Sequence, residues 1–206
     1  MRKISESTVR RLSVYLRLLE EFERLGRATV SSDEMAQRGH TTPAQLRKDL
    51  SFFGSFGKRG LGYDVAELSD RLREILGLGR TYRVTVVGAG KIGSALVQYR
   101  EFGERGFHIV SVYDNDEAKV GRSWDRVDVR HVRHLESDLR VDPVDIAVLA
   151  IPPQVAQQTM DLLVGAGVKA VLNFAPVRLS HPDDVTVQNV NMALELETLS
   201  YALRNG

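Results

Sequence analysis

A G-x-G-x-x-G pattern follows the β-branched run at residues 84–87, with its glycines at Gly88, Gly90 and Gly93. This order is typical of a strand, a tight turn and a helix. The first glycine permits the turn, the second lets the backbone approach a pyrophosphate, and the third lets the helix pack on the strand. Asp114 follows roughly 20 residues later, at the end of a second predicted strand, where an acidic side chain can bind a ribose. The pattern predicts a dinucleotide site; a glycine turn without a ligand is the alternative.

Side chains that could catalyse a reaction do not accompany this pattern. A dehydrogenase needs a proton donor beside the nicotinamide, and the sequence offers no convincing candidate. His131 and His134 lie three residues apart, but no nearby cysteine or carboxylate completes a plausible set of metal ligands. We therefore interpret both as surface histidines and predict neither a catalytic residue nor a metal site.

A second group of candidate residues lies near residue 45, where the sequence predicts a helix-turn-helix with a short turn around Gly39. On its second helix Leu46 and Leu50 face one side, and the opposite side is small, polar and cationic. In a major groove arginine can pair with guanine and glutamine with adenine. A solvated helix face is the alternative. The predicted DNA-binding residues are Thr42, Gln45, Arg47, Lys48 and Ser51.

The segment at residues 54–65 carries glycines around a basic pair, Lys58 and Arg59, with aromatic residues on either side. This composition predicts a β-hairpin with a basic tip. A hairpin that directly follows a recognition helix is a wing, and its two cations could reach phosphates or the minor groove. A flexible basic linker is the alternative, but the apolar residues of the segment favour the wing.

The net charge of the chain differs between the part with the predicted helix-turn-helix and the part with the glycine pattern. It has 206 residues and no cysteine, which excludes a disulfide and a thiolate nucleophile. The first 80 residues carry a net charge of +4 and the rest carry −3, so the basic part suits an anionic partner. No apolar run is long enough to span a bilayer. We expect a cytoplasmic protein.

Beyond residue 80 strands and helices alternate, which predicts a doubly wound parallel sheet of the Rossmann type. The carboxyl ends of its strands, where ligands bind, include Pro152 and Pro176. The terminal segment predicts an apolar helix that must dock on its own sheet or on a partner. The predicted domains are a winged helix at residues 1–79, a Rossmann domain at 80–190 and a C-terminal helix at 191–206. The candidate cofactor-binding residues are Gly88, Ala89, Gly90, Lys91, Ile92, Gly93, Asp114, Pro152 and Pro176.

Over essentially its whole length the chain resembles the Rex family of bacterial redox-sensing transcriptional repressors. The motifs that carry the resemblance are LRKDLSFFG at residues 46–54, GKRGLGY at 57–63, VGAGKIG at 87–93 and NFAP at 173–176. The resemblance implies a homodimer whose C-terminal helix is swapped between subunits. It also implies that NAD⁺ permits binding to operator DNA and that NADH releases it. A two-fold dimer then predicts an inverted-repeat operator.

The resemblance also assigns residues to the switch between these states. Tyr99, in the helix after the glycine loop, matches a ligand-responsive contact, and Arg17 matches an arginine of the first helix that senses domain orientation. Asn191 stands where family members often carry an aspartate that would pair with this arginine. An amide brings no charge, so the switch contact is expected to be weaker here or carried by other residues.

Two other functions remain open on the residues alone. One is a small NAD(P)-dependent oxidoreductase with an N-terminal dimerisation domain, and the other is a nucleotide- or coenzyme A-binding module. The predicted basic wing and the missing proton donor favour a regulator that is not an enzyme.

Overall fold

The computed structural model describes residues 4–57 and 61–205 and divides the chain into two units, Met1–Arg80 and Thr81–Gly206. In the described ranges no helix is long and apolar enough to cross a membrane.

Within its described residues, the first unit consists of four helices and one short antiparallel strand pair. All four of these helices begin at a polar cap, because the side chains of Ser5, Ser31, Thr42 and Asp64 accept the backbone N–H three residues later. The core lies between the first, third and fourth helices and includes the fully buried Leu12, Leu46 and Leu72. The elements are α1 (Glu6–Arg24), β1 (Thr29–Val30), α2 (Ser32–Arg38), α3 (Pro43–Ser51), β2 (Tyr63–Asp64) and α4 (Val65–Ile75).

The described part of the segment after α3 shows one strand of the predicted hairpin, β2. Strand β2 pairs with β1, and residues 54–57 form no strand. Gly54 and Gly57 have φ angles of 137° and 77°, which interrupt an extended strand. Gly62 lies against Val30, since a Cβ there would be 2.3 Å from the Val30 carbonyl oxygen. The basic pair Lys58 and Arg59 lies outside the described residues.

The second unit is built on a seven-stranded sheet with the order β5-β6-β4-β3-β7-β8-β9. Six strands are parallel, as predicted, but the edge strand β5 is antiparallel to β6. Asp125 and Arg126, both at positive φ, form the tight turn between those two strands. The strands are β3 (Tyr82–Val87), β4 (Phe107–Asp114), β5 (Ser123–Trp124), β6 (Val127–His131), β7 (Ile146–Leu149), β8 (Ala170–Asn173) and β9 (Thr186–Asn189).

Along the chain, helices lie between β3 and β4, between β6 and β7 and between β7 and β8, and they pack on the sheet. The chain adds strands on one side of β3 and then returns to add β7 on the other, which creates a crevice at the carboxyl ends of β3 and β7. This order confirms the predicted Rossmann type of sheet. The helices are α5 (Lys91–Val97), α6 (Arg100–Glu104), α7 (Leu135–Val141), α8 (Pro153–Gly165) and α9 (Met192–Asn205), and a 3₁₀ turn (Val132–His134) precedes α7.

The terminal helix α9 contains no buried residue within a single chain. Its apolar side chains are 55% or more exposed: Met192, Leu194, Leu196, Leu199, Tyr201 and Leu203. A soluble monomer rarely exposes so many large apolar side chains on one element.

Candidate functional site

The glycine loop joins the carboxyl end of β3 to α5. A Cβ atom at Gly93 would lie 1.8 Å from the Gly88 carbonyl oxygen, so only glycine allows α5 to approach the loop this closely. Gly88 has a φ of 105°, and a Cβ there would lie 2.3 Å from the Ala150 carbonyl oxygen. A Cβ at Gly90 would meet nothing within 4 Å among the described residues. The loop therefore leaves open space at the position where a pyrophosphate approaches the backbone in this fold.

Asp114, at the carboxyl end of β4, binds the backbone of this loop. Its side chain is 6% exposed, and Oδ2 accepts the Ala89 backbone N–H at 2.6 Å and Lys119 Nζ at 3.1 Å. Oδ1 accepts the Asp116 N–H at 2.8 Å. Burial alone would raise the pKa of Asp114, but these hydrogen bonds and the charge of Lys119 hold it below its ordinary value. The carboxylate is thus ionised and fixed in place, and the Ala89 N–H is already used within the loop.

His131 lies beside Asp114, its partner in the register of β4 and β6. Its side chain is 17% exposed, so His131 is only partly accessible at the surface, whereas His134 is exposed. The His131 Nδ1 accepts the Arg133 backbone N–H, and Nε2 lies 3.5 Å from Glu117 Oε1. Within the described residues no cluster of three or more metal-binding side chains occurs.

The loops after β7 and β8 end at the same edge of the sheet. Pro152 precedes α8 and is exposed, as is Pro176. The second loop is held by Asn173, which is fully buried and which the sequence reasoning did not select as a site residue. Its amide donates to the carbonyl oxygens of Ala175 and Val177 at 3.1 and 2.9 Å, and its Oδ1 accepts the Ala175 N–H at 2.9 Å. The asparagine of the NFAP motif was the available signal.

The three residues expected to act in the switch lie on different elements. Tyr99 was expected to lie in the helix after the glycine loop, and this expectation is wrong. Its backbone is extended and separates α5 from α6. Its ring packs edge-on against Phe102. Asn191 accepts the Ala193 backbone N–H at 3.0 Å and so caps the start of α9. Arg17 is exposed on α1.

In the first unit, α3 presents the face predicted for DNA contact. Arg47, Lys48 and Ser51 are exposed, while Leu46 and Leu50 are buried. Thr42 caps the helix, and its hydroxyl accepts the Gln45 backbone N–H at 3.1 Å. The Arg47 guanidinium donates to the Ser32 hydroxyl at 2.9 Å.

A buried carboxylate on α3 was missed by the sequence reasoning. Asp49 is 0% exposed and accepts hydrogen bonds from Arg11 Nε and Nη2 at 2.6 and 2.8 Å, from the Tyr15 hydroxyl at 3.0 Å and from Gln45 Nε2 at 2.8 Å. Burial favours a raised pKa for Asp49, but these donors outweigh it and lower the pKa. Burial, with the hydrogen bond to Asp49, raises the pKa of Tyr15 to about 12. Helical periodicity places Asp49 beside Leu46 and Leu50, which was the available signal.

A helix-turn-helix unit with an exposed cationic helix, followed by a Rossmann unit with an open glycine loop, defines a two-domain regulator of the DNA-binding type. The family described as "Putative DNA-binding protein N-terminus" matches residues 3–51, and the "CoA binding domain" family matches residues 80–177. The redox-sensing transcriptional repressor Rex of Carboxydothermus hydrogenoformans is 49% identical over 202 residues, which cover 98% of this chain and 97% of that protein. The chain belongs to the Rex family of redox-sensing transcriptional repressors.

Solved structures of RSP, a Rex-family repressor, agree with this assignment. RSP in complex with NAD⁺ and operator DNA matches with a TM-score of 0.95 and 38% identity, over 100% of this chain and 94% of that chain. RSP in complex with NADH matches with a TM-score of 0.91 and 37% identity, over 100% of this chain and 96% of that chain. These matches confirm the predicted fold class and family.

Proposed function

We propose that this protein is a transcriptional repressor that senses the NADH/NAD⁺ ratio. It binds double-stranded operator DNA as a homodimer, and NADH releases it. The observation that carries the proposal is the presence, in one chain, of an open glycine loop and an exposed cationic recognition helix. The likeness to RSP, whose solved structures contain NAD⁺ with operator DNA or NADH, supports it over the full length.

The cofactor site is proposed at the carboxyl edge of the sheet. Gly90 leaves space for the pyrophosphate. We propose that the neighbouring loop residues Ala89, Lys91 and Ile92 contribute to this site. Asp114 is ionised there and disfavours a second phosphate on the adenosine ribose. The remaining residues proposed for this site are Gly88, Gly93, Pro152 and Pro176. The cofactor supplies the redox signal, since the nicotinamide is a planar cation when oxidised and a neutral, puckered ring when reduced.

The DNA site is proposed on α3 and on the segment that follows it. Arg47, Lys48 and Ser51 are exposed and can reach base edges or phosphates. The proposed contacts include Thr42, Gln45, Lys58 and Arg59. In this proposal residues 1–79 form the DNA-binding domain, residues 80–190 form the cofactor domain and residues 191–206 form the swapped helix.

The homodimer is supported by α9, whose apolar side chains have no cover within one chain. Exchange of identical elements between protomers is a low-cost route to a dimer. Arg17, Tyr99 and Asn191 are proposed to relay cofactor binding between the subunits. Because Asn191 caps α9 with its Oδ1, an uncharged amide serves the helix start as an acid would.

Deletion of residues 191–206 tests the dimer. We expect the truncated protein to aggregate or to lose its dimeric mass in light scattering. In the proposed dimer α9 of one protomer covers an apolar surface of the other, and the deletion would expose that surface. A stable, soluble truncated protein that still dimerises would remove α9 from the interface.

Coenzyme A is the second candidate ligand, because the matching family for residues 80–177 carries that description. An enzyme is not proposed, since the members of the Rex family named above are repressors. A repressor acts where operator DNA lies, so we propose a cytoplasmic location.

Fluorescence anisotropy of a labelled operator duplex tests the proposal. The duplex is an inverted repeat selected by the full-length protein from a random library, and NADH, NAD⁺ and coenzyme A are added in separate titrations. We expect NADH to release the duplex, and NAD⁺ and coenzyme A to leave it bound. Release of the duplex by coenzyme A alone would show that the protein senses coenzyme A and not the redox state of NAD(H). If the protein selects no duplex, the proposal that it is a repressor is wrong.

A further inference from the structure

We infer that Asp49 is a positioning residue for DNA sequence recognition, which holds Gln45 in the orientation that reads a base. The inference rests on the proposed function. A carboxylate is an unexpected group on a helix that faces DNA, because the phosphates repel it. A buried ion pair is also weak evidence for stability, since apolar residues of similar volume often serve as well. The fully buried Asp49 therefore needs another explanation.

The hydrogen bond between Asp49 and Gln45 fixes the side-chain amide of Gln45. An ionised carboxylate only accepts hydrogen bonds, so it binds the NH₂ end of the amide and not the oxygen. The Gln45 Nε2 lies 2.8 Å from Asp49 Oδ1, one turn along the same helix. This contact uses one N–H and leaves the second N–H and Oε1, the donor and acceptor pair with which glutamine binds the N7 and N6 atoms of adenine.

Two side chains of α1 keep Asp49 ionised, and the orientation of the Gln45 amide requires an ionised carboxylate. The Arg11 guanidinium binds both carboxylate oxygens, at 2.6 and 2.8 Å, and so neutralises the charge near the DNA-facing surface. The Tyr15 hydroxyl donates to Oδ2 at 3.0 Å and adds a third donor from α1. Because the donors from α1 hold Asp49 in place and Gln45 Nε2 donates to the same carboxylate, the amide is oriented before DNA arrives. Preorganisation of this kind lowers the entropy lost on binding.

The test measures base preference rather than affinity alone. The wild-type protein selects an inverted-repeat duplex from a random library. Each base pair of the half-site is then changed symmetrically, and the dissociation constants of full-length wild type, Gln45→Ala, Asp49→Asn and the double variant are compared. Tyr15→Phe is the matched control, because it removes one hydrogen bond to Asp49 and leaves the contact with Gln45 in place.

We expect Gln45→Ala to lose about tenfold discrimination at a single A·T pair, the usual size of one bidentate contact. Asp49→Asn should lose most of the same preference at the same pair, because an asparagine NH₂ can bind the Gln45 oxygen instead and reverse the amide. The double variant should lose no more than Gln45→Ala, which is the sign of coupled residues. Tyr15→Phe should keep the preference.

Two outcomes separate this inference from the proposed function. Uniform weakening of every duplex by Asp49→Asn, with base preference retained, would overturn the positioning role and leave the repressor intact. If the wild type selects no duplex, the proposed function fails and the inference fails with it. The helical circular dichroism of each variant, compared with that of the wild type, serves as the folding check, because the substituted residues lie on helices of the first unit.

A measurement on the wild type remains decisive if Asp49→Asn does not fold. In ¹⁵N–¹H spectra without DNA, assigned with Gln45→Ala, one of the two side-chain N–H protons of Gln45 should be shifted from the position of a solvent-exposed amide and should exchange slowly with water. Two solvent-like protons would show that the amide is not fixed before binding, which contradicts the inference.

Discussion

On α3, the helix proposed to contact DNA, the buried carboxylate of Asp49 is bound by three side chains, whereas beside the glycine loop the carboxylate of Asp114 is bound by two backbone N–H groups and one lysine. Asn173 repeats the second arrangement, since its amide binds the backbone of the loop that follows it.

This difference follows from what each unit has to present. A helix already has a fixed backbone, so the first unit uses buried side chains to orient other side chains. A loop has no backbone pattern of its own, so the second unit uses buried polar groups to give its backbone a shape. In the proposed function, the first surface reads DNA with side chains, and the second receives the cofactor against the main chain.

Gly90→Ala gives the largest expected effect on ligand binding and tests the backbone side of this comparison. The new Cβ would stand in open space, so the fold is preserved, but it would occupy the position of the pyrophosphate. We expect NADH affinity to fall about 10- to 100-fold, as for 1–3 kcal/mol of steric overlap. Operator binding should be retained and should no longer respond to NADH in anisotropy. Gly103→Ala, where a Cβ also meets nothing within 4 Å in the described chain, is the matched control.

Arg11→Met tests the side-chain network and should destabilise only the first unit. Removal of one partner from a buried ion pair costs about 3–5 kcal/mol, and we expect the lower end because the Arg11 side chain is 29% exposed. The neighbouring Arg10→Met is the control, since Arg10 and Glu6 are both 65% exposed and such pairs contribute less than about 1 kcal/mol.

Urea unfolding can assign this loss to one unit. The single tryptophan, Trp124, lies in β5 and reports the second unit, while circular dichroism reports helices of both units. Arg11→Met should lower the urea concentration at which part of the circular dichroism signal is lost. The fluorescence transition of Trp124 should stay at the same urea concentration. A shift of both transitions would show that the network does not act locally.

Acid unfolding compares the two carboxylates and should show the smallest effect. Both have a folded-state pKa below the ordinary value, so each adds stability above about pH 4 that is lost as the pH falls through the folded-state pKa. Asp114→Asn should reduce the acid sensitivity of the Trp124 transition, and Asp49→Asn should reduce that of the first unit. Equal effects of either variant on both units would contradict two separate networks.

The sequence predicts the fold further than it predicts the site. Alternation of strands and helices, polar caps and the glycine pattern identify the Rossmann sheet and the short helices because these depend on local preferences. The pairing of β2 with β1 is not local, since it joins Thr29–Val30 to Tyr63–Asp64 across two helices. Periodicity places Asp49 on an inward face but does not reveal that Arg11 and Tyr15 bind it from α1. The break between α5 and α6 at Tyr99 was not predicted either.

The central claim is that NADH and operator DNA each weaken the binding of the other to this protein. The most direct test compares the affinity of the full-length protein for NADH with and without saturating operator duplex. Thermodynamic linkage requires each ligand to weaken the other by the same factor. Near-complete switching of a dimer needs about 10⁴-fold differential affinity, or about 100-fold for each of two sites. We predict that operator weakens NADH binding by the factor with which NADH weakens operator binding. Equal NADH affinities in the two titrations would contradict the account.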